Sequence, residues 1–212
     1  MPDQEFLQPT RFCDCHHPLV RHKAERLSAG AVAAADIAAR VFTFMREHVP
    51  YRFDFWNTTA SHTLVKGRGM CTNKANLQVA LLRACGVPAA YGHYRIRREA
   101  LRPLCAESFY RLVSPVTTHI YPLAWLDSRW VKLDATVDTM LLQTLYRGIT
   151  GWELVEWDGV RDMGLDSRFV VEDLGVHADL DVQLEAPPRV LTEEIVAAAN
   201  AELERRLLAA AG

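Results

Sequence analysis

The stretch that decides the fold runs from Gly67 to Ile96 and has the sequence GRGMCTNKANLQVALLRACGVPAAYGHYRI. Its apolar side chains recur at the spacing of one helix face, and they include Leu77, Ala80, Leu81 and Ala84. Gly86 suits the position just beyond the end of this helix, and Pro88 prevents the helix from continuing. Because its second half is nearly apolar on all sides, we predict a central, buried helix with Cys71 at or just before its N-terminus.

Three strands are predicted downstream of this helix. They are Ala89 to Ile96 (AAYGHYRI), Thr117 to Leu126 (TTHIYPLAWL) and Arg129 to Thr136 (RWVKLDAT). Asp127 and Ser128 form a tight turn between the last two strands. A helix followed by several strands without strict alternation predicts an α+β fold, in which the central buried helix that carries the cysteine packs on an antiparallel sheet.

The predicted hairpin brings two polar residues onto one face of the sheet. A two-residue turn pairs Leu126 with Arg129. His119 and Asp134 then become diagonal neighbours, with roughly 7 Å between them, so that the carboxylate can reach the imidazole. A register shifted by one residue would turn Asp134 to the opposite face, so this prediction depends on the turn.

Cys71, His119 and Asp134 are the candidate catalytic residues. A helix N-terminus favours a thiolate, because unpaired backbone N–H groups and the positive end of the helix dipole stabilise the anion. A neighbouring histidine turns the thiol into a thiolate–imidazolium pair and later protonates the leaving group, while an aspartate fixes the histidine tautomer. These residue types together indicate nucleophilic catalysis by cysteine.

The residues before Cys71 are candidates for the wall of a substrate cleft. Tyr51 to Leu64 shows no sustained periodicity and is predicted as a long loop, the kind of segment that often carries function. Glycines here would let the backbone come close to a bound acyl group. The expected lining residues are Trp56, His62, Gly69 and Met70. Aromatic packing without a functional role is the alternative for Trp56 and His62.

These motifs resemble the transglutaminase-like superfamily in its bacterial stand-alone form. The resemblance is carried by a Gly-x-Cys motif that opens a buried helix, by the segment LRACGVPA and by the hairpin THIYPLAWLDSRWVKLDAT, and it covers Val41 to Thr136. It implies a papain-like core and acyl transfer through a cysteine thioester. It also implies that Cys71 is the nucleophile, His119 the general base and acid, and Asp134 the residue that orients the histidine.

The function that the resemblance implies is acyl transfer, either amide formation or hydrolysis of an amide or peptide bond, as in peptide or secondary-metabolite assembly. The expected partner is a small-molecule or peptide acyl substrate, and an acyl group bound to a carrier protein is one form of it. Two alternatives stay open: an acyltransferase similar to the arylamine N-acetyltransferases, and a non-catalytic binding module on the same fold. The LRACGVP segment favours the transglutaminase side over the first, and the presence of all three candidate catalytic residues argues against the second.

The composition predicts one domain over residues 1–212. The chain is 50% hydrophobic and has a net charge of −2, so it can bury a core and shows no electrostatic footprint for nucleic acid. It contains no long uncharged apolar run, and its N-terminus lacks the pattern of a signal peptide, so no membrane association is expected. Five cysteines without a disulfide framework predict a reducing, cytoplasmic location.

Within this domain we predict a core over about residues 31–136, an irregular N-terminal segment over residues 1–30, and a C-terminal loop region and helix over residues 137–212. The core begins with a helix over Ala31 to His48, and Tyr146 to Gly175 is predicted as an extended loop. The closing helix spans Glu193 to Ala210, with Thr192 as its N-cap after Pro187 and Pro188.

No cofactor and no metal ion are expected. The segment Cys13-Asp14-Cys15-His16-His17 invites a metal-binding interpretation, but its Cys-x-Cys spacing is not that of common zinc sites, and no second pair of ligands follows. The chain also lacks a calcium loop of the DxDxDG type. A polar segment that packs beside the cleft is the simpler interpretation.

Overall fold

The computed structural model describes residues 2–148, 156–185 and 191–211. Its helices are α1 (Pro18–Ser28), α2 (Ala34–His48), α3 (Ala60–Lys66), α4 (Cys71–Ala84), α5 (Glu107–Tyr110), α6 (Thr139–Gln143), α7 (Asp181–Glu185) and α8 (Glu193–Ala211). Its strands are β1 (Ala89–Arg97), β2 (Val116–Leu126), β3 (Arg129–Lys132) and β4 (Val170–His177). Four helices precede the first strand, and the strands do not alternate strictly with helices, as the α+β prediction requires.

Helix α4 is the central element of the fold. Its residues from Cys71 to Arg83 are all buried. It packs against the three preceding helices and against β1 and β2. Just past its end, Gly86 has a φ of 78°, which is the left-handed conformation typical of a glycine that terminates a helix. The predicted buried helix and its C-terminal stop are therefore confirmed.

The strands form an antiparallel four-stranded sheet in the order β3-β2-β1-β4. The hairpin between β2 and β3 has the predicted register, with Leu126 paired to Arg129. Its turn residues Asp127 and Ser128 have φ values of 48° and 64°. This is the backbone conformation that matches a two-residue turn to the twist of its strands, and the predicted turn is confirmed.

Strand β3 is shorter than the sequence predicts. It ends at Lys132 rather than at Thr136. The backbone N–H of Asp134 donates to the carbonyl oxygen of Met163 at 3.0 Å and not to β2. The chain therefore leaves the sheet just before Asp134, and a segment from farther along the sequence holds this residue in place.

The N-terminal half differs from the predictions in two places. Residues 1–30 are not wholly irregular, because Pro18–Ser28 forms α1, whose N-terminus is capped by the ring of His17. The predicted loop from Tyr51 to Leu64 includes the beginning of α3, where the Thr59 hydroxyl accepts a hydrogen bond from a backbone N–H. Both helices are short or polar, so their apolar periodicity is weak.

The C-terminal half contains three elements beyond the predicted loop region and closing helix: the short helices α6 and α7 and the strand β4. The predicted loop from Tyr146 to Gly175 runs into β4, which pairs with β1 at the edge of the sheet. Most of β4 is exposed, so it lacks the alternation of a half-buried strand. The expected N-cap of α8 is confirmed, since Thr192 Oγ1 accepts a hydrogen bond from the Ile195 N–H at 3.3 Å. Pro187 and Pro188 lie outside the described residues, and none of the described helices is long and apolar enough to cross a membrane.

Candidate active site

Cys71 is the first residue of α4, and the turn before it is tightly held. The side-chain oxygen of Asn73 accepts a hydrogen bond from the Met70 N–H at 3.1 Å, and its amide donates to the Phe55 carbonyl oxygen at 2.8 Å. A Cβ atom on Gly69 would lie 2.6 Å from the Cβ of Asn73, so a residue with a side chain would clash at this position. The thiol therefore sits at a helix N-terminus, where backbone N–H groups without an intrahelical acceptor favour negative charge.

His119 lies in β2, and its Nε2 atom is 2.8 Å from Oδ2 of Asp134. Both side chains are buried, the residues being 4% and 1% exposed. The other carboxylate oxygen of Asp134 accepts a hydrogen bond from the Thr136 N–H at 2.9 Å. Two partners thus fix the orientation of the carboxylate, and the carboxylate fixes the orientation of the imidazole. Because Nε2 faces Asp134, the ring nitrogen left for a second partner is Nδ1.

Cys71 and His119 meet in the wall of one cavity. The thiol lies within hydrogen-bonding reach of the His119 ring, and both residues line the same space. The structure therefore brings together the three predicted residues, from the start of α4, from the middle of β2 and from the segment just after β3. In this cluster the imidazole lies between the thiol and the carboxylate.

The charges of this cluster are set by its own members. Burial acts to lower the pKa of His119, but the Asp134 carboxylate and the Cys71 side chain outweigh it and raise this pKa to about 10. Burial acts to raise the pKa of Asp134, but His119 and Thr136 outweigh it, and the pKa of this carboxyl is lowered. The arrangement therefore favours an ionised Asp134 and a protonated His119 at neutral pH.

Two buried polar residues of α4, which the sequence pattern does not single out, hold this helix to its neighbours. The Gln78 amide donates to the carbonyl oxygen of Leu133 at 2.8 Å, which ties α4 to the residue before Asp134. The Lys74 ammonium donates to the Val49 carbonyl oxygen at 2.7 Å, and burial lowers its pKa to about 8. The sequence does contain a feature that points to them: amide and ammonium side chains occur in a helix that is predicted to be buried. Such groups must find hydrogen-bond partners inside the protein.

A cavity of about 280 Å³, here called the central cavity, opens beside Cys71. Of the predicted cleft residues, Trp56 and Met70 line it. His62 does not, because it lies on the exposed side of α3. Gly69 also lies outside the wall, since it packs against α4. The buried indole Nε1 of Trp56 has no hydrogen-bond partner among the described residues.

The segment from Cys13 to His17 packs against the core. Cys13 and Cys15 are buried free cysteines whose side chains contact each other, and Asp14 accepts a hydrogen bond from the Ser61 N–H at 2.9 Å. Within residues 2–148, 156–185 and 191–211, no group of three or more His, Cys, Asp or Glu side chains is placed to hold a metal ion. This segment therefore attaches the N-terminus to α3.

Comparison with known families identifies the fold. A family model described as the transglutaminase-like superfamily matches residues 21–135, which is more than half of the chain. The chain belongs to the transglutaminase-like superfamily. The match includes the buried helix, the sheet residues around His119 and the hairpin, so the resemblance expected from the sequence and the papain-like α+β core are confirmed.

Two solved structures resemble part of the chain. A Cytophaga hutchinsonii protein provisionally assigned as a cysteine protease is 22% identical with a TM-score of 0.49, over 62% of this chain and 40% of that chain. A Parabacteroides distasonis protein provisionally assigned as a protease is 13% identical with a TM-score of 0.41, over 68% of this chain and 28% of that chain. The matched regions thus cover less than half the length of either protein. Among curated proteins, none matches this chain.

Proposed function

We propose that this superfamily member is a cysteine-dependent acyltransferase or amidohydrolase that works through a thioester on Cys71. The proposal rests on the position of the buried His119 ring, which interacts with the Cys71 thiol on one side. On its other side, Nε2 of the ring lies 2.8 Å from Oδ2 of Asp134. The thiol also lines a cavity that has room for an acyl group. Membership of the transglutaminase-like superfamily supports the same assignment.

The first half-reaction forms the thioester. In the thiolate–imidazolium pair His119 already holds the proton of the Cys71 thiol, and Sγ attacks the carbonyl carbon of the substrate as a thiolate. The bond from that carbon to the leaving amine or thiol breaks, and the imidazolium gives its proton to the leaving group. Asp134 keeps the proton on Nε2, which leaves Nδ1 free to act on the thiol, and its charge stabilises the imidazolium.

Trp56 is the proposed donor to the oxyanion. Its indole N–H is buried, lines the central cavity and has no hydrogen-bond partner in the part of the chain that the structure describes, whereas buried polar groups are nearly always hydrogen-bonded. The tetrahedral oxyanion that forms at the attacked carbonyl would supply the missing acceptor. The Cys71 backbone N–H at the start of α4 is the second proposed donor, because it has no acceptor within the helix.

The second half-reaction releases the acyl group from Cys71. Water gives a carboxylic acid, and an amine gives a new amide; in both cases His119 accepts the proton of the attacking group and the Cys71 thiolate leaves. The proposed substrates are small-molecule or peptide acyl compounds, including acyl groups on a carrier protein. Both outcomes require the same thioester, so the test is directed at the cysteine.

The test is alkylation by iodoacetamide, followed by peptide mass spectrometry at each of the five cysteines. We expect Cys71 to react fastest at pH 6 and to slow down strongly in His119→Ala. Cys85 and Cys105 serve as internal references, because burial raises their pKa values to about 11 and about 12. His93→Ala is the matched control, since this half-buried histidine lies on β1 and is paired with Ile120.

Equal, slow labelling of Cys71 in the wild type and in His119→Ala would contradict the proposal. A chain that behaves in this way would instead be a binding module on the same fold. Fast labelling that persists in His119→Ala would show that the thiol is activated by something other than the histidine, and the mechanism given above would then be wrong.

A further inference from the structure

The walls of the central cavity indicate which acyl groups can reach Cys71. None of its described lining residues is Asp, Glu, Lys or Arg. Large apolar side chains dominate the lining, among them Phe53, Leu101, Leu104, Phe109, Val137 and Leu141. The Tyr146 hydroxyl is already engaged, because it donates to the Ala100 carbonyl oxygen at 2.8 Å. Apart from the cysteine–histidine pair, the described wall thus offers no charged side chain. Its other polar groups are neutral, and they belong to Tyr51, Trp56, Ser114, Thr117, Thr118 and Thr136.

Much of this wall comes from the connection between β1 and β2, residues 98–115. It contributes Ala100, Leu101, Leu104, Phe109, Leu112 and Val113. Leu104 is buried, whereas Leu112 is 50% exposed, so the wall extends from the interior to the surface. This gives the cavity an entrance and an apolar interior. A ligand with one reactive polar end and an apolar body fits such a shape.

The volume agrees with an acyl group of moderate size. An apolar cavity of roughly 150 Å³ accepts a benzene ring. The central cavity, at about 280 Å³, is nearly twice as large. It can therefore hold a single aromatic ring with its linker, or a short to medium aliphatic chain, in addition to the reacting carbonyl.

We propose that the central cavity binds a neutral, hydrophobic acyl group and presents its carbonyl to Cys71. This inference rests on the proposed function, because it names the donor for the thioester formed there. A carboxylate or ammonium on the acyl chain would lose its water of hydration without gaining a partner of opposite charge among the described lining residues, which disfavours charged acyl groups. Each methylene buried against the apolar wall should instead favour binding.

Phe109 lies in the wall of the central cavity and of a neighbouring one. It packs against Phe53 with 4.8 Å between ring centroids. It also lines a second, smaller cavity of about 150 Å³ between α5 and α8, here called the side cavity. Leu104, Phe109 and Leu112 are shared by both cavities. Removal of the Phe109 ring should therefore join the two spaces and lengthen the acyl chain that fits.

The probe is a series of N-acetylcysteamine thioesters with acetyl, butyryl, pentanoyl, hexanoyl, octanoyl and glutaryl groups. In the acylation step Cys71 Sγ bonds to the carbonyl carbon, the bond to the N-acetylcysteamine sulfur breaks, and that sulfur leaves as a thiol with the proton from His119. The kcat/KM for thiol release reports on acylation whether water or an amine completes the reaction.

We expect kcat/KM to rise about fourfold per methylene from acetyl to hexanoyl, as burial of each methylene predicts. Glutaryl, which has the same number of carbons as pentanoyl but a terminal carboxylate, should be slower than pentanoyl by roughly a hundredfold. In Phe109→Ala the optimum should move to octanoyl or beyond.

Tyr110→Ala is the matched control, because Tyr110 follows in the same helix, is also half-buried and lines neither cavity. Its ring lies under Arg98 and Arg102 instead. This variant should keep the wild-type chain-length profile. Thermal unfolding of both variants shows whether a changed profile comes from the cavity or from a loss of folded protein.

The outcomes separate this inference from the proposed function. If Cys71 reacts rapidly with iodoacetamide, any of three results would overturn the inference. They are a kcat/KM that does not change from acetyl to hexanoyl, equal rates for glutaryl and pentanoyl, and no acylation by any thioester. An unchanged optimum in folded Phe109→Ala would also count against it. If Cys71 reacts with neither the thioesters nor iodoacetamide, the proposed function itself fails.

Discussion

The substitution Asp134→Asn tests whether the carboxylate maintains the charge of His119. The pair is buried, with 2.8 Å between Nε2 and Oδ2. In the wild type Asp134, together with Cys71, overcomes the effect of burial and raises the pKa of His119 to about 10. With asparagine in its place burial is the dominant influence, so the pKa should fall below the ordinary value of about 6.5. An asparagine amide can also donate to Nε2, which would place the remaining proton on Nδ1, where it blocks the base.

The size of the effect follows from these values. Without the carboxylate, His119 should be mostly neutral at pH 7, and Cys71 then lacks its imidazolium partner. A thiol without an imidazolium partner is only a few per cent ionised at neutral pH. We therefore expect alkylation of Cys71 at pH 7 to slow by roughly 10- to 30-fold, since a more basic thiolate is also somewhat more nucleophilic.

The pH dependence gives the sharper assay. Because the pKa of His119 is raised, the imidazolium persists until the pH rises through about 10, and wild-type alkylation should change little between pH 6.5 and pH 9. In Asp134→Asn the rate should instead rise about tenfold per pH unit up to about pH 8 and then level off near the ordinary thiol pKa of about 8.5. Rates are measured by peptide mass spectrometry, with Cys85 as the internal reference because burial raises its pKa to about 11.

Asp138→Asn is the matched control. Asp138 is also buried, and its carboxylate accepts hydrogen bonds from the backbone N–H groups of Tyr51 and Leu141 at 2.7 and 3.0 Å. The Asp138→Asn variant should be less stable than the wild type, but the pH dependence of Cys71 alkylation should not change. The reasoning is refuted if Asp134→Asn, folded by circular dichroism, keeps the wild-type rate at pH 7 and the wild-type profile.

Three further predictions concern groups around the site. In the folded protein burial lowers the pKa of Lys74 from 10.5 to about 8, so between these pH values the unfolded chain binds the proton and the folded protein does not. The free energy of unfolding of the wild type should therefore rise, relative to that of Lys74→Met, by on the order of 3 kcal/mol from pH 8 to pH 10.5. A difference between the two proteins that stays constant with pH in urea unfolding would contradict this. Gly92→Ala would place a methyl group 2.0 Å from Cζ of Tyr121 and should cost about 1–3 kcal/mol in urea unfolding, whereas Gly164→Ala, with its nearest neighbour at 3.6 Å, should cost less. Trp56→Phe removes the proposed oxyanion donor and should lower kcat on the hexanoyl thioester about a hundredfold, while iodoacetamide labelling, which forms no oxyanion, should stay at the wild-type rate.

Local features of the chain were sufficient to predict the elements that carry the candidate site. The apolar periodicity of α4 and the Gly86 stop lie within the helix and its immediate flank, and the hairpin register follows from a turn of two residues. Such features depend on neighbours a few residues apart. These elements carry the resemblance to the superfamily, and that resemblance implied the meeting of Cys71 with the hairpin residues.

What the sequence by itself determined is therefore the helix that starts at Cys71, the hairpin and the superfamily. Only the tertiary structure decided how Asp134 is held, because its backbone N–H bonds to Met163, which lies far along the chain. Only the tertiary structure, likewise, assigned Trp56 but not His62 to the cavity. The edge strand β4 and the apolar wall from residues 98–115 also depend on contacts between distant segments. Such contacts arise from packing of whole elements, which a pattern of neighbouring residues does not encode.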